Sequence, residues 1–335
     1  METVERKIKQ PPLIFDETQA ILGQLEDLTG FRFLAYWTSN RGGVCQNDVL
    51  ALYEIFRRLE SGDTVGLFVK SQGGDVEATL RMVNLIRGYY RHLVAFVPLE
   101  CASAATMIAL GADEIRMGPL AYLTAIDSSL THQLSPIDER ENRRVSVSQD
   151  ELSRIVKLWN TNAQSHHDNP FTDVFKYIHP LVVGAIDRSS SLSIKICQEI
   201  LSYHISDAAE AERISTHLNS NYPSHGYPIT IREAERVGLK VAPLDRNIND
   251  LLLELNALYS EMAQQAITDF DEYNYHDNEV LNIHEASGIQ IYFQNDKDWN
   301  YIREERRWQN LNDESSWRKV ERINGDTVRS RLHIR

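Results

Sequence analysis

From Phe31 to Gly111 the chain alternates apolar runs of strand length with apolar residues at helical spacing, and this succession restricts the fold more than any other feature. Phe31 to Trp37 reads as a buried strand. Val49, Leu52, Ile55, Phe56 and Leu59 then recur at helical spacing, with Asn47 and Asp48 available as caps. Thr64 to Lys70 is a second strand, broken by Ser71-Gln72-Gly73-Gly74, and Asp75 opens a helix with Val76, Leu80, Val83 and Ile86 on its apolar face. Leu93 to Pro98 is a third strand, after which Cys101-Ala102-Ser103 leads into the helical run Ala104 to Gly111. Strands joined through helices in this order need right-handed crossovers, so the expected class is α/β with a largely parallel sheet. In such sheets functional groups lie in turns leaving the carboxyl ends of strands. Gly73-Gly74 and Ser103 occupy two such turns.

Further along, Asp138 to Asn169 is polar, with a helix expected over Gln149 to Trp159. A helical stretch over Leu192 to Tyr203 precedes Tyr222-Pro223-Ser224-His225-Gly226-Tyr227-Pro228 and a short helix from Arg232 to Val237. After Asp245 a helix is expected over Leu251 to Ile267, and the acidic stretch Asp269 to Glu279 reads as a linker. Ile289, Ile291 and Phe293 alternate with Gln290, Tyr292 and Gln294, the period of a half-buried strand, and Trp299 to Trp308 is expected to return as its hairpin partner across Asn295 to Asp298. The expected organisation is an N-terminal segment (1–30), a core domain (31–248), a helix with acidic linker (249–279) and a small β or α+β appendage (280–335).

Thirty-five Lys and Arg stand against 48 Asp and Glu, a formal charge of −13, which opposes non-specific binding to nucleic acid or to anionic membranes. A hydrophobic content of 42% and a charged content of 25% are those of a soluble folded protein. Cys45, Cys101 and Cys197 are far apart and odd in number, suggesting neither a disulfide framework nor a CxxC metal site and fitting a reducing compartment. Met1 to Gln10 is charged and followed by Pro11 and Pro12, with no secretory signal and no apolar run of membrane-spanning length. The expectation is a cytoplasmic protein without membrane association. His166-His167-Asp168 reads as a solvated loop, because adjacent residues do not converge on one metal; neither metal nor cofactor is expected.

Ser103 follows a strand, starts a helix and has small neighbours, Cys101-Ala102 and Ala104-Ala105. A nucleophile there has room for a substrate backbone and a field that stabilises developing negative charge. The same serine could simply be the helix N-cap. Gly73 and Gly74 let backbone N–H groups approach a substrate carbonyl, as an oxyanion hole requires, although a turn calls for glycine on backbone grounds alone.

The segment Phe68 to Val76, with Gly73-Gly74 at its centre, resembles the strand-to-Gly-Gly element of ClpP peptidases, with Gln72 where those usually have Pro. Ala102-Ser103-Ala104-Ala105-Thr106-Met107, with Ala112-Asp113-Glu114-Ile115 and Met117-Gly118-Pro119, is closer still to the serine dehydrogenase proteinase family, a ClpP-like branch of the ClpP/crotonase superfamily. Ala125-Ile126-Asp127 resembles its Pro-Ile-Asp element, and His225-Gly226-Tyr227-Pro228-Ile229 with Glu233-Ala234 its late motif. The resemblance covers 31–130 well, 178–241 in patches and the tail not at all. It implies a ClpP/crotonase-like fold of repeated ββα/βαβ units. It also implies Ser103 as nucleophile, the amides of Gly73 and Ala104 as oxyanion hole and Gly74 beside the substrate.

The proton carrier is less defined. Asp127 stands where ClpP has its histidine, and Arg143 and Arg144 stand where Ser/Lys peptidases have a lysine; a guanidinium stays protonated and is no base. Lys157 is read as a solvated helix residue. The candidates that remain are His225, between Pro223 and Pro228, and then His179, with Asp127 orienting the histidine or stabilising its charge. The reading is a serine peptidase or related acyl hydrolase acting on polypeptides, assembled by resemblance as a homo-oligomer. An inactive scaffold that binds a partner protein and a crotonase-type acyl-CoA enzyme are its alternatives.

Overall fold

The computed structural model describes residues 7–59, 61–127, 129–138, 143–162, 169 and 171–334. Strands β1 (Arg32–Thr38), β2 (Gly62–Lys70) and β3 (Tyr90–Val97) are parallel neighbours in the register Leu34, Leu67, Ala95. The two-residue strand β4 (Glu100–Cys101) follows, and β5 (Glu114–Met117) and Val241–Pro243 extend the parallel set beyond β3. Helices α1 (Phe15–Thr29), α2 (Gln46–Phe56), α3 (Val76–Tyr89) and α4 (Ala104–Leu110) connect or cover them. The fold is mixed α/β, built on a large mixed sheet.

Both faces of the sheet are covered at β1, which explains why that strand is apolar almost throughout. Leu34 and Tyr36 point into a core shared with α2, α3 and α4, whereas Phe33, Ala35 and Trp37 point into a second core under α1 and the helix Arg246–Met262. Asp75 caps α3 by accepting from the amides of Glu77 and Ala78. The N-terminus of α2 is two to three residues earlier than the caps Asn47 and Asp48 that the sequence suggests. Cys45 holds the cap position, and Asp48 reaches back to its amide at 2.7 Å.

The largest departures are in the C-terminal third. Most of the stretch expected to be an acidic linker is strand: Thr268–Asp269 turns through 270–273 onto Asn274–Ala286, which pairs antiparallel with β1 from Leu34↔Ala286 to Thr38↔Asn282. Arg41 neutralises Asp277 (3.1 Å) and Glu279 (2.6 Å), a partner over 200 residues away that no local window of sequence can supply. The strand Ile289–Ile302 runs straight through the expected turn at Asn295 to Asp298, because its partner continues to pair with it as far as Asn274↔Asn300; the chain reverses only before Arg307–Asp313. Gln290 and Gln294 are buried rather than exposed, Gln290 against Glu285 and Gln294 against Asn278. The strands Ser316–Ile323 and Asp326–Leu332 complete the same sheet, which has eleven strands among the described residues.

Two helices begin earlier than their apolar spacing indicates. Pro180–Leu201 starts at a proline in its first turn, a position that needs no amide donor, and Arg246–Met262 is capped by Asp245. Among the described residues no helix is long and apolar enough to cross a membrane.

Candidate active site

The carboxyl ends of β2 and β4 are joined by backbone hydrogen bonds: the Ser71 amide donates to the Glu100 carbonyl (3.3 Å) and the Ala102 amide to the Ser71 carbonyl (2.9 Å). This pairing sets Gly73 against Ser103. A Cβ built on Gly73 would lie 2.7 Å from Ser103 Cβ and 3.0 Å from the Ala104 amide nitrogen, and Gly73 has φ +101°, which L side chains rarely adopt. Glycine is therefore required there by space as well as by conformation.

Ser103 holds the N-cap position of α4 but does not act as a cap. Its φ, ψ of 54°, −122° are sparsely populated for any residue with a side chain, and its hydroxyl makes no capping hydrogen bond. The N-cap alternative is thus set aside. Strain of this kind, of order 1–3 kcal/mol, persists only where surrounding contacts impose it. Thr124 is one such contact, its hydroxyl accepting the Ser103 amide at 2.8 Å while its own amide donates to Thr106 Oγ1 at 3.1 Å. The nearby Cys101 thiol is no rival nucleophile, since burial pushes its pKa well up and it donates to the Ala105 carbonyl.

Three residues beyond Thr124, the Asp127 carboxylate bonds His225 Nδ1 at 2.7 Å. The sequence reading named both residues for one site, and the fold brings them together. The hydrogen bond to Asp127, opposed by desolvation, raises the His225 pKa above its ordinary value. The His225 loop is held by reciprocal backbone bonds between Leu123 and Ile229 (3.0 and 2.8 Å) and by stacking of Tyr222 on Tyr227. Among the described residues no hydrogen bond joins Ser103 to His225. The Gly73 amide donates to Ser71 Oγ at 3.2 Å, whereas the amides of Gly74 and Ala104 have no acceptor among the described residues.

The remaining candidates are elsewhere engaged. His179 caps the helix Pro180–Leu201 by accepting the Leu181 amide, Arg144 donates to the Gln133 carbonyl, and Lys157 is exposed on the helix Gln149–Asn162. His166, His167 and Asp168 lie outside the described residues, as does the Arg143 side chain. No group of three or more metal-ligating side chains occurs among the described residues.

Several supporting residues escaped the sequence reading. Lys70 is buried at the end of β2, where it pairs with Glu100 (3.0 Å), donates to the Thr38 carbonyl (3.0 Å) and lies over the Trp37 ring. A lysine ending an apolar strand was its only signal. Asp48, fully buried, accepts from Tyr36, from Asn282 and from the Cys45 amide, and bonds His284 at 2.8 Å. Asn282 also donates to the Gly43 carbonyl (2.9 Å), and the adjacent Val44 exchanges backbone bonds with Gly73 and Asp75 (2.8 Å each). A strand from the C-terminal third thereby fixes the loop that carries Gly73.

No family model matches the chain. An uncharacterized protein of Methanocaldococcus jannaschii is 24% identical over 201 residues, a match spanning 60% of this chain and 60% of that relative's length. Among solved structures the chain is similar to two mutants of the membrane-bound stomatin-specific protease 1510-N. One, a serine-to-alanine mutant, has 15% identity and a TM-score of 0.37, covering 70% of this chain and 87% of that one. The other, a lysine-to-alanine mutant in complex with a substrate peptide, has 15% identity and a TM-score of 0.38, covering 64% and 78%.

Proposed function

We propose that the protein is a ClpP-like serine peptidase, or a related acyl hydrolase, with Ser103 as nucleophile. The observation that carries this reading is the strained Ser103 backbone, which leaves an uncommitted hydroxyl against Gly73 instead of a helix cap. The bonded Asp127–His225 pair supports the choice of base, its Asp127 lying three residues beyond the Thr124 that receives the Ser103 amide.

In this reading Ser103 Oγ attacks a substrate carbonyl carbon as His225 Nε2 takes the hydroxyl proton, while Asp127 fixes the tautomer through Nδ1 and stabilises the imidazolium. The carbonyl oxygen, now an oxyanion, accepts from the amides of Gly73 and Ala104, the former exchanging Ser71 Oγ for the substrate; Gly74 lies along the bound chain. The tetrahedral intermediate collapses as His225 returns the proton to the leaving amine, and water repeats the sequence on the acyl-enzyme. Hydrogen bonds between nucleophile and base commonly tighten only with substrate present, and the mechanism requires Ser103 and His225 to come into contact in the complex. Substrates are polypeptides, and the active form is a homo-oligomer, which light scattering on the purified chain checks.

A fluorophosphonate probe and hydrolysis of an activated ester test the assignment: both signals are expected in the native chain and absent in Ser103→Ala. Equal labelling of the two proteins would overturn it. The inactive-scaffold reading draws on the Gly73 amide being occupied by Ser71 and on the unmade Ser103–His225 bond. It requires that no Ser103-dependent labelling occurs at all.

A further inference from the structure

A basic cleft of about 490 Å³ opens at the far end of the sheet, on the last three strands and the N-terminal segment near Gln10 and Leu13. Its lining includes Arg318, Lys319, Arg329, Arg331, Ser330 and Tyr292, and no carboxylate, in a chain whose formal charge is −13. The register explains the convergence. Tyr292, Arg318 and Arg331 are direct cross-strand partners on three neighbouring strands, and Arg329, two residues from Arg331, points to the same face.

Tyr292 supplies an observation independent of charge. The residue is 2% exposed, lines the cleft, and its hydroxyl has no hydrogen-bond partner among the described residues. That hydroxyl is open to the cleft, where a ligand carboxylate can accept from it. Arg318, Lys319 and Arg331 each have a carboxylate neighbour, in Asp296, in Glu54 and Glu321, and in Glu314 respectively; Arg329 has none among the described residues. The cleft therefore offers one uncommitted guanidinium and one uncommitted hydroxyl beside two further guanidiniums, Arg318 and Arg331, whereas the Lys319 ammonium turns to the opposite face towards Glu54.

The cleft also runs along a free sheet edge. Among the described residues Asp326–Leu332 is the terminal strand of the sheet, paired on one side only, and Arg329, Ser330 and Arg331 are consecutive on it. An exposed edge binds extended chain through its backbone groups while side chains enter neighbouring pockets. A second copy pairing antiparallel at this edge would bring its own Arg329 and Arg331 against these, and like charges there repel. An incoming strand that bears carboxylates meets the opposite situation.

We propose that this cleft and edge bind an acidic, extended polypeptide segment, which adds as a strand to Asp326–Leu332 and places carboxylates against Arg329, Arg331 and the Tyr292 hydroxyl. The inference does not depend on the peptidase reading, and it is tested in the Ser103→Ala background so that cleavage cannot intervene.

The probe is a rhodamine-labelled, end-capped peptide of roughly ten residues alternating Glu and Thr, followed by fluorescence anisotropy with the full chain. Saturable binding is expected, weakened about tenfold or more by R329Q/R331Q and by replacing every Glu of the peptide with Gln, and several-fold by Y292F. Binding should fall as salt rises from about 50 to about 300 mM, and N-methylation of alternate peptide amides should abolish it. Circular dichroism of R329Q/R331Q, whose altered residues are exposed, checks that the fold is retained. Equal binding of the Glu and Gln peptides, no loss in R329Q/R331Q, or no loss on N-methylation would overturn the proposal. So would Arg-dependent binding of pyrophosphate with none of the Glu peptide, and so would self-association of the chain through this edge that excludes the peptide.

Discussion

At Ser103 one backbone dihedral separates two meanings of the same residue. A serine with ordinary N-cap geometry would spend its hydroxyl on the helix; at φ 54° it makes no such bond. His225 carries the corresponding pH signature. Its pKa is raised by Asp127 above the ordinary histidine value of about 6.5, so in the proposed mechanism the neutral imidazole that would act as base predominates only at correspondingly higher pH. The acid limb of kcat/KM should therefore lie above that value. In Asp127→Asn it should move to lower pH while the maximal rate falls by about 100-fold or more, as pH–rate profiles would record. For stability the sign follows from the raised folded-state pKa. The pair contributes fully below the unfolded-state value, and its contribution is lost as pH rises through the folded-state value. With His225 half exposed, solvent screening keeps this contribution small.

At the scale of elements, the site depends on how the end of β2 meets the start of α4. Gly73→Ala places a methyl group 2.7 Å from Ser103 Cβ and holds alanine at φ +101°. It should destabilise the chain by about 1–3 kcal/mol in urea unfolding. The displaced amide should lower turnover by about 100-fold or more in the ester assay. The Gly43–Val44 segment beside it rests on Asn282. Asn282→Ala leaves the buried Asp48 carboxylate and the Gly43 carbonyl each short of a donor and should cost about 1–3 kcal/mol, read as a lower thermal midpoint.

At the scale of the whole molecule, the C-terminal third is part of the sheet that carries the site. Tyr292 and Val320 pack in the core beneath α1, and Trp317 in the core shared with α2. The buried Glu285 carboxylate accepts from Thr18, Gln19, Tyr259 and Gln290, tying three separate segments together. Truncation after Ala286 strips Asn274–Ala286 of the strand Ile289–Ile302 and uncovers Val280 and Ile283. The truncated chain is expected to be aggregated or unfolded by size-exclusion chromatography and circular dichroism, whereas a self-sufficient core would stay soluble and folded.

The parallel strands from Phe31 to Val97, the helices between them and the turns at Gly73 and Ser103 were legible because each rests on local rules: apolar periodicity, Asp75 as a cap, and glycine where a side chain has no room. The Asp127–His225 pairing was legible only through resemblance, for the two lie 98 residues apart. The strand within the acidic stretch at 269–279 was not legible, because its neutralising partner, Arg41, stands 236 and 238 residues from Asp277 and Glu279. Local chemistry in the sequence thus determined where the strands end and which small residues stand at those ends. Only the tertiary structure decided that Ser103 is held off its capping geometry, that Asp48 and Asn282 brace the glycine loop, and that the tail completes the sheet. Each of these depends on burial and on hydrogen bonds between segments that meet only when the sheet closes over both cores.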